Sequence, residues 1–215
     1  YHKDVRFLEI VDSNNTLRGR FYLDLYARDR KRGGAWMDDC MGRKVRANGE
    51  LQTPVAYLVC NFNKAVGDKP ALFTHNEVTT LFHEFGHGIH HMLTQVDAAP
   101  VAGINGVAWD AVELPSQFLE NWCYEEEALS FISGHFETGE PLPKELLDKL
   151  LAAKNYNSGM QMLRQIEFSL FDFKIHNDYV AGEPCQIQSV LNDVRSRTSV
   201  VHAPEFNRFQ HGFSH

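Results

Sequence analysis

Apolar and polar positions alternate along the first part of the chain in the manner of half-buried β-strands. Two strand-like runs, residues 6–11 and 17–27, flank the turn-prone residues 12–15, a combination that favours a β-hairpin. Within the second run, apolar positions alternate with Tyr22 and Asp24. This period of two predicts one buried face and one wetter face.

The pattern changes from strand-like to helical after about seventy residues. A charged, glycine-rich loop is predicted over residues 28–34, and a more uniformly apolar third strand over residues 54–62. Thr74 and Glu77 then have the T-x-x-E spacing of a capping box, in which each residue satisfies a free amide of the other. This start signal predicts a helix over residues 75–95.

The remaining elements are predicted from apolar residues that recur every three to four positions. Residues 97–106 contain one proline and two glycines and form a connecting loop. A second helical region spans residues 108–129, and Pro115 inside it predicts a kink or a restart near Leu114. Further helices are expected after Pro143, over residues 155–180 with an apolar stripe from Met160 to Ile175, and over residues 186–198, before an irregular tail from His202. The fold class is therefore mainly α with a small β-sheet.

Composition limits the kinds of partner. The 215 residues are 43% apolar, which suffices for one good-sized core, and the net charge of −7 provides no basic footprint for nucleic acid or anionic lipid. No apolar run approaches the roughly 20 residues needed to cross a bilayer, and the first residues do not form a signal peptide. Four widely separated cysteines are expected to be buried thiols in a reducing compartment: Cys40, Cys60, Cys123 and Cys185. Together these features predict a cytoplasmic protein that binds small molecules or peptides, and they leave the oligomeric state open.

One stretch, LFHEFGHGIHH over residues 81–91, carries metal-ligating chemistry. His83 and His87 are four residues apart, so on a helix both imidazoles can reach one ion from the same face. Glu84 lies about 100° around the helix from His83, where it can face the open side of that ion. This H-E-x-x-H pattern is typical of zinc peptidases, whose glutamate acts as the general base toward a zinc-bound water.

The third ligand is ambiguous from spacing alone. His90 and His91 lie about 10.5 and 12 Å along the helix from His83, too far for a compact three-histidine site. Each is therefore expected either to contact the metal ligands or the substrate, or to be an ordinary surface histidine. A carboxylate from a later segment is required, and the candidates are Asp97, Asp110, Glu113, Glu120 and the run of residues 125–127. Chain geometry prefers Asp110 or Glu113, one as the ligand and the other as its neighbour, without separating them.

Three linked motifs resemble the thimet oligopeptidase family of zinc peptidases. They are F-H-E-F-G-H over residues 82–87, E-L-P-S-Q over residues 113–117 and L-E-N-W over residues 119–122. The resemblance runs through essentially the whole chain. It implies a zincin-like core in which His83, His87 and Glu113 hold one Zn²⁺ per chain and Glu84 is the catalytic base, and it leaves Asp110 as a neighbour of the ligands.

The closing Phe213–His215 looks like the start of the family's F-x-H-x-x-G-G-Y segment. In relatives that histidine and nearby tyrosines contact substrate, so the resemblance implies a substrate-binding role for His215. It also implies that residues 1–215 are the central part of a longer catalytic domain, without its N-terminal helical region and its Gly-Gly-Tyr segment. The isolated segment is accordingly expected to bind zinc but to hydrolyse peptides poorly, because transition-state hydrogen-bond donors are missing.

The function implied by this resemblance is zinc-dependent endopeptidase activity on short oligopeptides. An alternative within the same family is a dipeptidyl carboxypeptidase, which releases dipeptides from a free C-terminus. An alternative from another class is a non-catalytic domain that is merely stabilised by its metal.

Overall fold

Strands precede helices along the part of the chain described by the computed structural model, residues 1–184 and 186–212. The strands are β1 Arg6–Val11, β2 Leu17–Tyr26, β3 Trp36–Met41, β4 Lys44–Val45, β5 Leu51–Gln52 and β6 Val55–Phe62. The helices are α1 His75–Met92, α2 Leu114–Glu120, α3 Glu126–Ile132, α4 Lys144–Ala153, α5 Ser158–Asn177 and α6 Ile187–Thr198. The fold is thus mixed α and β, with the predicted small sheet near its start. The chain divides into two units between Leu147 and Asp148.

A four-stranded sheet in the order β1-β2-β6-β3 forms the base of the first unit. β1 and β2 form the predicted antiparallel hairpin, β6 runs parallel to β2, and β3 pairs antiparallel with β6 as an edge strand. The sequence did not predict β3, because Asp38 and Asp39 interrupt its apolar pattern. An edge strand accommodates such charges because one of its sides has no neighbouring strand.

The expectation of a wetter face on β2 was wrong at Asp24, which is buried. Arg28 binds both carboxylate oxygens at 2.6 and 2.7 Å, and Lys31 lies 3.0 Å from Oδ1. Burial alone would raise the pKa of Asp24, but the hydrogen bonds from Arg28 and Lys31 outweigh it and lower the pKa. Two cations from the loop after β2 therefore stabilise a charge that the alternating pattern placed in solvent.

Helix α1 packs across the sheet and completes the first core. Its start is the predicted capping box, since the side chain of Thr74 accepts from the backbone of Glu77 and the Glu77 carboxylate accepts from the backbone of Thr74. The buried side chains at the helix–sheet contact include Phe21, Leu58 and Met92. This packing fixes α1 on the sheet and thereby the placement of the H-E-x-x-H residues.

The second helical region begins later than predicted. Residues 109–113 form turns, and α2 starts at Leu114 with Glu113 as its N-cap residue. Pro115 explains the shift, because a proline fits the first turn of a helix but disrupts its interior. The predicted restart near Leu114 is thus confirmed, whereas the helix from residue 108 was wrong.

In the second unit, the buried positions of α5 differ from its predicted apolar stripe. Phe173 of that stripe is exposed, and the buried side chains are Glu167 and Phe171. Glu167 is stabilised in the interior because Arg195 and Ser199 of the α6 region donate to it at 3.0 and 2.8 Å. A hydrogen-bonded ion pair has therefore replaced part of the expected apolar contact.

Two further expectations concern the cysteines and the membrane. Cys60 and Cys123 are buried free thiols, Cys40 is half-buried, and Cys185 lies outside the described residues. Burial raises the pKa of the Cys60 thiol to about 12, which makes it unreactive at neutral pH. Across residues 1–184 and 186–212, no helix has the length and apolar character that a membrane span requires.

Candidate metal centre

Three side chains from two segments meet at one point. The Nε2 atoms of His83 and His87 each lie 3.1 Å from Oε2 of Glu113, and one ligand atom from each of the three residues lies within 4.8 Å of the others. His87 is buried, His83 is half-buried, and Glu113 is exposed. The structure therefore brings together the three residues that the family resemblance implied as metal ligands.

Local helix geometry places the two histidines. They are one turn apart on α1, with ring centroids 5.0 Å apart and ring planes at 85°. Both Nε2 atoms reach the same Glu113 oxygen, as the four-residue spacing predicted. The H-E-x-x-H pattern thus fixes two of the three donors without help from the rest of the fold.

Close contact between α1 and α2 places Glu113. A Cβ added at Gly86 would lie 2.6 Å from the Pro115 carbonyl oxygen and 2.6 Å from the Ser116 Cα, so only glycine allows the two backbones to approach this closely. The buried hydroxyl of Ser116 lies 2.8 Å from both the backbone oxygen and Oε2 of Glu113 and orients its carboxylate by donating to it. In the sequence, the feature that indicates this contact between α1 and α2 is Gly86, which lies inside the H-E-x-x-H motif.

A second carboxylate orients His83 from the opposite side of its ring. Oε1 of Glu120 lies 2.6 Å from Nδ1 of His83. Because a carboxylate accepts, a proton on Nδ1 satisfies this contact, and the tautomer protonated there keeps its lone pair at Nε2, the atom that a metal ion would bind. Sequence reasoning included Glu120 among the possible ligands, but its contact is with the histidine. Such histidine–carboxylate pairs hold a ligand ring in its orientation and increase its basicity.

The electrostatics of His87 favour a neutral imidazole. Burial lowers its pKa, and the nearby Glu113 carboxylate opposes this effect. Its Nδ1 atom is buried without a hydrogen-bond partner among the described residues. A neutral ring offers a lone pair at Nε2, as coordination of a cation requires.

The donor set fits a zinc ion. Two neutral imidazoles and one carboxylate are common ligands of catalytic zinc, which keeps a fourth position open. Two ligands of a tetrahedral zinc with bonds of about 2.0–2.1 Å lie roughly 3.3 Å apart, close to the 3.1 Å between the Glu113 oxygen and each histidine nitrogen. The three residues could therefore hold one such ion.

Glu84 lies next to His83 on α1 and is buried. Burial raises the pKa of its carboxyl group, His83 lowers it, and Glu113 raises it. The backbone N–H of Met37 on β3 also acts on this carboxylate and favours its ionised form. A carboxylate with a raised pKa is a stronger base than one in water, which is the property expected of a proton acceptor.

Other predicted residues are not part of this cluster. Asp110 is exposed in the turn before α2 and is not one of the three residues whose possible ligand atoms come together. His215 lies outside the described residues. Asp97 pairs with Arg43 at 2.7 Å instead, and the surface option for His91 was wrong because that residue is fully buried.

Replacing Glu120 with glutamine is expected to weaken zinc binding by about 10- to 100-fold, because the charge that orients and polarises His83 is lost. Competition with a chromophoric chelator would measure the dissociation constant. Glu126→Gln is the matched control, since Glu126 is exposed in the first turn of α3 and is not one of the three clustered residues. Equal zinc affinities for the two variants would contradict the function assigned to Glu120.

Two imidazoles and a carboxylate that converge beside a buried glutamate define this chain as a protein with a candidate site for one divalent metal ion. The sequence profile of Peptidase family M3 matches residues 1–215, and the chain belongs to this family. The predicted resemblance to the thimet oligopeptidases is thereby confirmed.

Individual relatives agree with this assignment. Oligopeptidase A of Haemophilus influenzae is 65% identical and that of Escherichia coli 64% identical, each over the whole chain and 32% of the relative. A dipeptidyl carboxypeptidase of Escherichia coli is 38% identical over 82% of the chain and 25% of the relative. The chain thus spans about a third of the length of the oligopeptidase A relatives.

Proposed function

We propose that the protein containing this chain is a zinc-dependent endopeptidase that hydrolyses short oligopeptides. The observation that carries the proposal is the convergence of His83, His87 and Glu113 at distances suited to one zinc ion. Membership in Peptidase family M3 and the likeness to proteins named oligopeptidase A support the choice of a peptide substrate. Glu84 is proposed as the catalytic base.

Bound at this site, zinc would polarise the scissile carbonyl and lower the pKa of a water molecule toward about 7. The chain's own residues supply the remaining steps. The Glu84 carboxylate accepts the proton of the attacking water and then donates it to the leaving amine. Burial of Glu84 keeps this proton from exchanging freely with solvent and makes the carboxylate more basic. Glu120 keeps the His83 ring in its ligating orientation.

Dipeptidyl carboxypeptidase activity is the second candidate, and the 38% identity to a protein of that name supports it. An endopeptidase cleaves an internal bond whether or not the substrate ends in a free carboxylate. A dipeptidyl carboxypeptidase requires that carboxylate. A pair of otherwise identical peptides, one with an amidated C-terminus, therefore distinguishes the two activities.

The experiment that tests the proposal combines metal analysis with this peptide pair on the full-length protein. We expect about one zinc per chain, loss of hydrolysis on chelation, recovery on adding zinc, and cleavage of both peptides. Glu113→Ala is expected to lower zinc affinity by at least about tenfold, because a three-ligand site loses its only carboxylate donor. Cleavage by the metal-free protein would disprove zinc dependence, and cleavage of only the free-acid peptide would favour the carboxypeptidase.

A non-catalytic, metal-stabilised domain is the remaining alternative. It would bind zinc and unfold at lower temperature without it, yet hydrolyse neither peptide. We also propose a cytoplasmic location. The acidic composition and the buried free thiols Cys60 and Cys123 support that location.

A further inference from the structure

His91 is fully buried in the last turn of α1, two turns beyond His83. Its Nε2 lies 3.0 Å from the backbone oxygen of Met41, the last residue of β3, and its Nδ1 accepts from the backbone N–H of Ile104 at 3.4 Å. A carbonyl only accepts and an amide N–H only donates. The tautomer protonated at Nε2 therefore satisfies both partners and ties a strand to a loop.

The loop after α1 lies directly on this imidazole. Gly103 has a φ of +65°, and a Cβ there would lie 2.5 Å from Nδ1 of His91 and 2.9 Å from its backbone oxygen. Only glycine combines this backbone conformation with such a close approach. The path of the loop past His91 is therefore closely constrained.

Two other contacts join the same loop to the end of β3. Arg43 donates to the Asp97 carboxylate at 2.7 Å, and the side-chain amide of Asn105 donates to Asp39 at 3.0 Å. Both pairs are more exposed than His91, so each contributes less on its own. His91 is thus the buried member of a set of contacts that fastens the loop to β3.

This loop leads to the one carboxylate of the candidate metal centre. Glu113 follows Asn105 by eight residues, and its side chain is 49% exposed, so its position depends on the path of the segment that carries it as well as on the α1–α2 contact at Gly86 and the hydrogen bond from Ser116. Strand β3, whose Met41 oxygen His91 contacts, also carries Met37, and the backbone N–H of Met37 interacts with the Glu84 carboxylate. His91 accordingly links the segment that presents the third ligand to the strand that contacts the proposed base.

We propose that His91 is a positioning residue of the metal centre. By holding the loop against β3, it constrains the segment that presents Glu113 and so acts together with the α1–α2 contact to place this carboxylate near His83 and His87 before any metal binds. A preorganised ligand binds more tightly, because less conformational freedom is lost on binding. The inference deepens the proposed function and rests on it for the identity of the metal.

The test compares two variants in the full-length protein. His91→Phe fills the same space but leaves the Met41 oxygen and the Ile104 N–H unpaired. Phe62→Leu is the matched control. Phe62 is buried at the end of β6, whereas Met41 pairs with Val55 at the start of that strand, and the rings of Phe62 and Phe73 pack with centroids 4.8 Å apart. Both should lower thermal stability. Only His91→Phe is expected to weaken zinc binding, by about tenfold, and to speed amide hydrogen exchange over residues 99–106.

A partial rescue separates positioning from general destabilisation. His91→Gln retains a donor that can reach the Met41 oxygen, so zinc affinity and loop exchange should fall between those of the wild type and His91→Phe. If His91→Phe does not fold, His91→Gln carries the test by itself, with an expected loss of several-fold in zinc affinity. Wild-type zinc affinity and wild-type loop exchange in the folded variants would overturn the proposal.

The outcome is distinguishable from failure of the proposed function. A wild-type protein that neither binds zinc nor cleaves peptides would refute the proposed function. Amide exchange of residues 99–106 in the variants would still show whether His91 holds the loop. A wild-type protein that binds zinc, together with variants that bind it equally well, would refute the inference alone.

Discussion

Replacement of Glu84 by glutamine is expected to lower kcat for peptide hydrolysis by about 10²- to 10⁴-fold or more while zinc stays bound. Glutamine keeps the shape of the side chain and an oxygen that can accept from the Met37 backbone. It cannot accept a proton at neutral pH. The three proposed ligands His83, His87 and Glu113 are unchanged, so the metal content should remain that of the wild type.

The measurement pairs steady-state kinetics with metal analysis of the same preparation. Glu126→Gln makes the same chemical change at an exposed position in the first turn of α3 and should leave kcat unaltered. A Glu84→Gln protein that retained wild-type kcat would show that another group accepts the proton. Loss of zinc together with activity would instead make Glu84 a structural support of the site.

The second large effect is expected from alanine at Gly86, with Gly88→Ala as its matched control on the same helix. At Gly86 the new methyl group would meet backbone atoms of Pro115 and Ser116 at 2.6 Å, and these can move only if α2 moves. At Gly88 it would meet the ends of the Leu58 and Met92 side chains at 3.0–3.4 Å, which need to shift by only a few tenths of an ångström to make room. Both changes replace glycine by alanine inside a helix, so each stabilises the helical conformation by the same free energy, about 1 kcal/mol.

Gly86→Ala should therefore displace Glu113 from the two histidines, whereas Gly88→Ala should not. A displacement of about 1 Å commonly costs on the order of 10²-fold in rate, so we expect that loss in kcat/KM together with at least about tenfold weaker zinc binding. Circular dichroism and thermal unfolding would verify that both variants are folded. Wild-type zinc affinity in Gly86→Ala would refute the proposed dependence of the centre on the α1–α2 contact.

Local sequence rules predicted those parts of the fold that depend on neighbouring residues. The capping box at Thr74 and the β1–β2 hairpin follow from side chains and turns within a few positions. The histidine pair likewise needs only the helix repeat to place both rings on one face. Strand β3 and the late start of α2 were missed or misplaced because an edge position and a proline overrode the apolar period.

The sequence by itself determined that His83, Glu84 and His87 share one helix and, through its linked motifs, that the chain resembles a zinc peptidase family. Spacing could not choose between Asp110 and Glu113, because the two carboxylates are only three residues apart after the same loop. The tertiary structure favours Glu113, because the α1–α2 contact at Gly86 and the hydrogen bond from Ser116 bring its carboxylate to the two histidines. The physical reason is that a ligand supplied from a separate segment is placed by packing between segments, which no local period in the chain encodes.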